Sequence, residues 1–278
     1  MTAAPLASEI KIDPNATADE ARAFLEHDRI LAAYALADID QPELEASRWW
    51  VARRDGEIRA IALVVEGLPF RPCFAIGASE PLGVLFREAV REPRVLLAVA
   101  PQGRPAVEAT YRFERWDLMK RMAVDVRSFR PRITQRVTRL GPDDLDAVID
   151  LYGHASRTYF TPERLRREIY FGVYQGRPLV AAAGTHVRST RSGIAAVGNV
   201  LTRLAYRGRG MATSCTSAVT EAALGQHRDV VLNVREENTP AVAVYDHLGY
   251  VTHTRFIEGP AVRRAAWERL FGALKEKK

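Results

Sequence analysis

Residues 204–214, LAYRGRGMATS, place two glycines one residue apart, each preceded by an arginine. Gly208 and Gly210 can adopt positive φ and let another group approach the backbone. The preceding residues, GIAAVGNVLTR, are typical of a strand, and the following ones are helix formers. A helix start offers free N–H groups and the positive end of the helix dipole. The stretch therefore predicts an anion site, to which Arg207 and Arg209 add charge.

Spacing alone leaves a second interpretation open, a tight strand-to-helix turn with solvated arginines. The GxxxxGK[ST] pattern of a P-loop is absent. The dinucleotide pattern GxGxxG is also incomplete, because Thr213 stands at the place of its third glycine.

A second informative stretch follows at residues 232–250, LNVREENTPAVAVYDHLGY. Asn238 is a natural N-cap and Gly249 a natural C-cap, with Pro240 in the first turn, so a helix of about ten residues is predicted. Tyr245 lies on the apolar face of that helix. Its side chain is either a half-buried packing residue or a hydroxyl that faces a site beside the preceding strand.

Together the two stretches resemble the GNAT superfamily of acyl-CoA-dependent N-acyltransferases, most clearly over residues 194–256 and more loosely over 132–260. The family pattern [RQ]-x-x-G-x-[GA] corresponds to RGRGMA at 207–212. The second pattern corresponds to LNV at 232–234, Asn238, VY at 244–245 and GY at 249–250. One departure is Leu204, where the family often has a proline.

The resemblance implies an α/β fold with a mixed, mainly antiparallel central sheet and helices on both faces, in two tandem copies. Acetyl-CoA would lie between two splayed strands, GNVLTR and VLNVR, as acyl donor to a primary amine. Tyr245 would protonate the leaving thiolate, and a backbone amide near Val200 would polarise the thioester carbonyl. The residues expected to contact the cofactor are Val200, Leu201, Thr202, Arg207, Gly208, Arg209, Gly210, Met211, Ala212, Thr213 and Asn238. The alternative is a non-catalytic acyl-CoA-binding sensor or assembly module, although the intact tyrosine favours turnover.

The base that deprotonates the amine has no fixed position in this family. His154, Glu168 and His186 are candidates, and each also fits a structural or solvated role. Asn199 is a candidate for orienting the substrate. No metal-ligand spacing occurs, and Cys215 fits a packed thiol better than a nucleophile.

The chain organisation predicts two halves. The polar SFRPR segment at 128–132 marks a boundary, which gives a degenerate GNAT-like domain over 1–128 and an acyl-CoA-binding catalytic domain over 129–278. Helical spacing is present over 18–39, and turns at Asp55-Gly56 and Gln175-Gly176 predict hairpins. The first half offers only GASEPLG at 77–83, where Glu80 and Pro81 argue against phosphate binding.

The 278 residues carry a formal charge of +6, which favours an anionic partner. No basic stripe with aromatic residues indicates nucleic acid, and no apolar run indicates a membrane. The N-terminal residues lack a signal-peptide pattern, and the two cysteines fit a reducing compartment, so a cytoplasmic location is expected. The expected partner is a small-molecule or peptide amine, with homodimer formation left open.

Overall fold

A computed structural model describes residues 9–40, 46–68 and 70–265. In chain order its strands are β1 (Lys11–Asp13), β2 (Ser47–Arg54), β3 (Glu57–Val65), β4 (Pro72–Gly77), β5 (Arg94–Val99), β6 (Tyr111–Phe113), β7 (Asp117–Asp125), β8 (Thr138–Arg139), β9 (Tyr170–Tyr174), β10 (Leu179–Ser189), β11 (Ile194–Thr202), β12 (Asp229–Arg235) and β13 (Val251–Arg263). Its α-helices are α1 (Ala18–Leu25), α2 (Ala33–Asp40), α3 (Ser79–Glu88), α4 (Arg104–Glu108), α5 (Leu145–Tyr152), α6 (Pro162–Arg167), α7 (Met211–Leu224) and α8 (Thr239–His247).

The chain forms two compact units, and each combines segments that are distant in sequence. The first unit contains residues up to Asp28, Pro42–Leu118 and the chain from Arg255 onward. The second contains Arg29–Gln41 and Met119–Thr254. Relative to the predicted division after residue 128, helix α2 and residues 119–128, which include most of β7, belong to the second unit, and the end of β13 belongs to the first.

Strands in the first unit follow the order β1-β2-β3-β4-β5-β13, and β6 also pairs with β13. The pair β4–β5 is parallel and the other pairs are antiparallel. The predicted hairpin turn is confirmed, since Asp55 and Gly56 both have positive φ, 54° and 81°. Those angles suit the two-residue turn of a right-twisted hairpin.

Strands in the second unit follow the order β7-β12-β11-β10-β9-β8. The pair β11–β12 is parallel, and the others are antiparallel. On one face, α7 and α8 contribute side chains to a core with β12, including Met211, Val219 and Tyr245. On the other face, α5 and α6 pack through Leu151 and Leu165. The predicted fold class, a mainly antiparallel mixed sheet with helices on both faces, is confirmed.

Residues 18–39 form two helices, whereas their apolar spacing suggests one. The carbonyl oxygens of Ile30 and Leu31 accept hydrogen bonds from the guanidinium of Arg121. These bonds satisfy carbonyl groups in the break between the two helices, and all three residues belong to the second unit.

Candidate functional site

The parallel strands β11 and β12 are paired over only part of their length. Their register runs from Ile194↔Asp229 to Val197↔Leu232 and ends there, although both strands continue. On its other edge β11 still pairs with β10 as far as Thr202↔Ala181. Beyond Val197, β11 therefore has backbone groups that β12 does not pair and that a ligand between the strands can reach. The carbonyls of Asn199 and Thr202 are exceptions, because they accept hydrogen bonds from Tyr152 and Arg207.

A β-bulge marks the point where the strands part. Between the pairs Gly184↔Gly198 and Ala182↔Leu201, β11 has one more residue than β10. Asn199 in this bulge has φ 49°, a conformation that only a few per cent of non-glycine residues adopt. The extra residue shifts the alternation of side chains, so Val200 packs on the α7 face and Leu201 on the α5 face.

The loop of residues 203–210 joins β11 to α7 and contains the glycine pair. Gly208 and Gly210 have φ 76° and 74°, and a β-carbon on Gly208 would meet no atom within 4 Å. The first backbone amide of α7 that donates a helical hydrogen bond is that of Ser214, whose nitrogen lies 3.0 Å from the Gly210 carbonyl oxygen. The amides ahead of it lie at the positive end of a long helix, as the anion-site prediction requires.

Ser214 of α7 holds the chain that precedes β8 against this loop. Its hydroxyl accepts hydrogen bonds from the amides of Thr134 and Gln135, at 3.0 and 3.2 Å. The Gln135 side chain donates to the carbonyl of Arg209 at 3.0 Å. The sequence pattern did not reveal this contact, because it joins segments about 80 residues apart.

Helix α8 has the predicted caps. The Asn238 side chain accepts from the Ala241 amide at 3.3 Å, and Gly249 follows the helix with φ 92°. The Tyr250 amide donates to the Tyr245 carbonyl at 3.1 Å, which completes a Schellman motif. A side chain at position 249 would also collide with the Ser128 carbonyl oxygen, which lies 2.0 Å from where its β-carbon would stand.

Tyr245 is 6% exposed and packs with α7 and β12 in the core on that face. Burial raises the pKa of its hydroxyl to about 12. The hydroxyl therefore stays protonated at neutral pH and is a hydrogen-bond donor. Burial also raises the pKa of Cys215 to about 12, so this buried thiol is not a thiolate nucleophile.

The three candidate bases have different surroundings. Glu168 is buried, with its carboxylate paired to Arg167 at 3.0 Å and Arg188 at 3.1 Å, so it has a structural role. His154 is exposed at the start of a 3₁₀ turn. His186 lies beside the bulge of β11, since a β-carbon on Gly198 would be 2.5 Å from its Nε2.

Tyrosines surround Asn199 at the same place. Its side-chain amide donates to the hydroxyls of Tyr170 at 2.8 Å and Tyr159 at 3.3 Å. The hydroxyl of Tyr152 donates to its backbone carbonyl. These tyrosines lie on α5, β9 and the segment between them. Because they share no common spacing, no sequence pattern indicated that they converge.

The first unit has a different connection at the equivalent place. Only Ala78 separates β4 from α3, and β4–β5 pairing continues to Ala75↔Val99. A β-carbon on Gly77 would be 2.4 Å from the Arg59 carbonyl oxygen, so the backbone packs closely against β3 at this position. That this half does not hold a phosphate stays a prediction.

Comparisons with known proteins support the same fold. Residues 170–257 match the FR47-like protein family. A protein from Drosophila has a TM-score of 0.67 at 13% identity, with 91% of this chain and 98% of that chain covered. A tandem GNAT protein from the clavulanic acid biosynthesis pathway has a TM-score of 0.56 at 16% identity, with 92% of this chain and 98% of that chain covered. A GCN5-related N-acetyltransferase from Sphaerobacter thermophilus has a TM-score of 0.56 at 16% identity, with 91% of this chain and 95% of that chain covered.

The chain thus has the GNAT fold in a tandem arrangement, and its residues 170–257 carry the FR47-like pattern. The resemblance found in the sequence is confirmed at this level. No curated protein matches the chain. Within the described residues, no helix has the length and hydropathy to cross a bilayer, and no cluster of His, Cys, Asp or Glu is arranged to hold a metal ion.

Proposed function

We propose that the protein is an N-acyltransferase that transfers an acetyl group from acetyl-CoA to a primary amine, with its site in the second unit. The observation that carries this proposal is the end of β11–β12 pairing at Val197↔Leu232, directly before the glycine loop and α7. A gap between strands accepts an extended amide-containing chain by backbone pairing. A glycine loop at a helix start accepts the pyrophosphate at the end of that chain.

The residues assigned to acetyl-CoA are those expected from the sequence. Backbone groups of Val200, Leu201 and Thr202 pair with the pantetheine arm. Amides from Arg207 to Thr213 hold the pyrophosphate, and the two arginines supply positive charge. Asn238 caps α8 beside the arm. Tyr245 donates a hydrogen bond to the sulfur as the C–S bond breaks.

The chemical step is direct attack of the amine on the thioester carbonyl. A backbone amide near Val200 polarises the carbonyl oxygen, a contribution of about 3 kcal/mol in enzymes with similar oxyanion sites. No covalent enzyme intermediate is required. The alternative, an acyl-CoA-binding module without turnover, needs the same loop but not the tyrosine hydroxyl, so Tyr245 favours the enzyme.

Calorimetric titration of acetyl-CoA into wild-type protein and Gly208→Asp tests the binding site. Gly208 faces open space, so aspartate adds a negative charge to the loop without a steric clash. We expect micromolar binding by the wild type and at least a roughly 30-fold loss in Gly208→Asp, about 2 kcal/mol for a repelled phosphate.

Gly176→Asp is the matched control. Gly176 lies in the β9–β10 turn of the same unit, has φ 64° and also has no atom within 4 Å of an added β-carbon. Backbone strain and added charge are therefore matched in the two variants. Equal affinities for both variants, or no binding by the wild type, would reject the proposed function.

A further inference from the structure

His186 occupies a bulge of its own, next to the bulge of β11. The pairs Thr185↔Val197 and Val187↔Ala196 leave His186 as the extra residue on β10. Its ring lies over Gly198, where any side chain would collide with it. Bulges turn a side chain away from the regular alternation of a strand and occur often beside active sites. Here the bulge directs an imidazole to the first residue beyond the β11–β12 pairing.

The surroundings of this imidazole are aromatic and cationic. The rings of Tyr34 and Tyr159 each lie 6.3 Å from it in edge-on geometry. Arg121 lies over the Tyr34 ring at 4.9 Å, and Arg164 over the Tyr159 ring at 4.2 Å. By geometry, His186 Nε2 is buried and has no hydrogen-bond partner within the described part of the chain, although the Asn199 side chain is close enough to stabilise the protonated ring. Such atoms are rare in folded proteins and need an explanation.

The imidazole is neutral at physiological pH. Burial lowers the pKa of His186, and the charge of Arg164 acts in the same direction. The Asn199 side chain and the carboxylate of Glu168 act against this shift and do not overcome it. A neutral imidazole keeps one unprotonated ring nitrogen, which accepts a proton.

The two faces of the sheet separate the hydrogen-bond donor for the leaving sulfur from the group that accepts the amine proton. Tyr245 belongs to the core on the α7 face. His186 contacts Tyr159, which packs in the core on the α5 face. A thioester held in the gap between β11 and β12 therefore has a proton donor on one face of the sheet and a proton acceptor on the other.

We propose that His186 is the base of the acyl transfer, an inference that rests on the proposed function. The amine, in its uncharged R–NH₂ form, approaches from the α5 face, past Tyr159 and Asn199. As its nitrogen bonds to the carbonyl carbon, one N–H proton moves to His186 Nε2. The C–S bond then breaks, the sulfur receives a hydrogen bond from Tyr245, and the imidazolium returns its proton to water after the amide leaves.

His186→Gln tests the assignment, with His227→Gln as the matched control. His227 belongs to the same unit, is 5% exposed, has a buried Nε2 without a partner in the described residues, and its pKa is lowered by burial. It lies beyond the far end of α7, where its Nδ1 is 3.0 Å from the Ala223 carbonyl oxygen. Each variant thus removes a histidine whose Nε2 is buried, and the two differ in position.

Three measurements apply to the wild type and both variants: calorimetric binding of acetyl-CoA, imidazole ¹⁵N shifts with and without acetyl-CoA, and thiol release with a panel of amino acids and polyamines across pH. We expect both variants to bind acetyl-CoA within threefold of the wild type. In the wild type, acetyl-CoA shifts the His186 signals and leaves those of His227 unchanged. His186→Gln lowers kcat about 100-fold or more and removes the acidic limb of the pH profile, while His227→Gln keeps both.

The outcomes separate the two proposals. If the wild type binds acetyl-CoA but its His186 signals do not move, the base assignment is wrong and the proposed function stands. The same holds if His186→Gln keeps kcat within threefold on any amine that the wild type accepts. If the wild type does not bind acetyl-CoA, the proposed function fails, and this assignment fails with it.

Discussion

At the residue scale, the low acidity of the Tyr245 hydroxyl limits its role in proton transfer. Its pKa of about 12 lies above that of a free thiol, about 8.5. Complete proton transfer from the tyrosine to a CoA thiolate is therefore uphill. A hydrogen bond to the developing negative charge is the favourable interaction, and such bonds contribute about 1.5–3 kcal/mol.

Tyr245→Phe removes this hydrogen bond and little else, because the ring stays in the core. We expect kcat to fall about 10- to 100-fold, as that energy implies, with an unchanged dissociation constant for acetyl-CoA. Stopped-flow thiol release and calorimetry measure the two quantities.

The pH dependence of kcat tests the raised pKa of Tyr245. Because burial keeps the hydroxyl protonated, it stops donating only at pH values near its pKa of about 12. The kcat of the wild type should therefore show no decrease from this group at neutral or mildly basic pH. A fall near the pKa of a free thiol, about 8.5, that disappears in Tyr245→Phe would contradict the assigned pKa.

Local chemistry made several residues predictable. Asn238 and Gly249 are recognisable because capping depends on neighbours within a few positions, and the Gly208–Gly210 pair because positive φ selects glycine. His186 was one of three candidate bases in the sequence, with nothing to separate it from Glu168 or His154. The separation comes from two bulges and the ion pairs of Glu168, which depend on strand register and tertiary contacts.

At the scale of elements, helix α7 is built mainly of small residues, and one of them, Ser214, holds a neighbouring segment of the chain by hydrogen bonds. Ser214 is completely buried, and its hydroxyl accepts two amides of the chain that crosses the helix. That chain contacts the glycine loop of residues 203–210 through the hydrogen bond from the Gln135 side chain to the Arg209 carbonyl. The serine therefore links the glycine loop to residues 134–135 and fixes where the crossing chain lies.

Ser214→Ala leaves these amides without their acceptor. We expect a loss of about 1–3 kcal/mol in the free energy of unfolding, measured by urea titration, and weaker acetyl-CoA binding as the loop loosens. Thr216→Val is the control on the same helix, since the Thr216 hydroxyl is buried without a hydrogen-bond partner among described residues. Its free energy of unfolding should stay the same or rise. Equal losses in the two variants would show that the crossing chain does not depend on Ser214.

At the scale of the whole molecule, the exchanged segments decide which pieces can fold. The strand β13 pairs with β5 from Ile257↔Val99 to Val262↔Arg94 and with β6 from Ala261↔Phe113. Both partners belong to the first half of the sequence. The linear order of elements predicted the tandem fold, but a strand's partner is a long-range property, so the sequence pattern placed β13 with the second half.

The exchange predicts that residues 1–128 do not form a stable monomer. Without β13, the β5 edge exposes unpaired backbone groups beside buried Val95 and Leu97, and such edges associate with other chains. We expect residues 1–128 to aggregate in size-exclusion chromatography and to melt without cooperativity by circular dichroism. Joining residues 255–265 to their C-terminus through a long Gly/Ser linker restores the missing strand, and this version should be monomeric with a cooperative transition. A monomeric, cooperatively melting 1–128 would mean that the first unit is stable without its last strand and that the predicted boundary at residue 128 describes an independent domain.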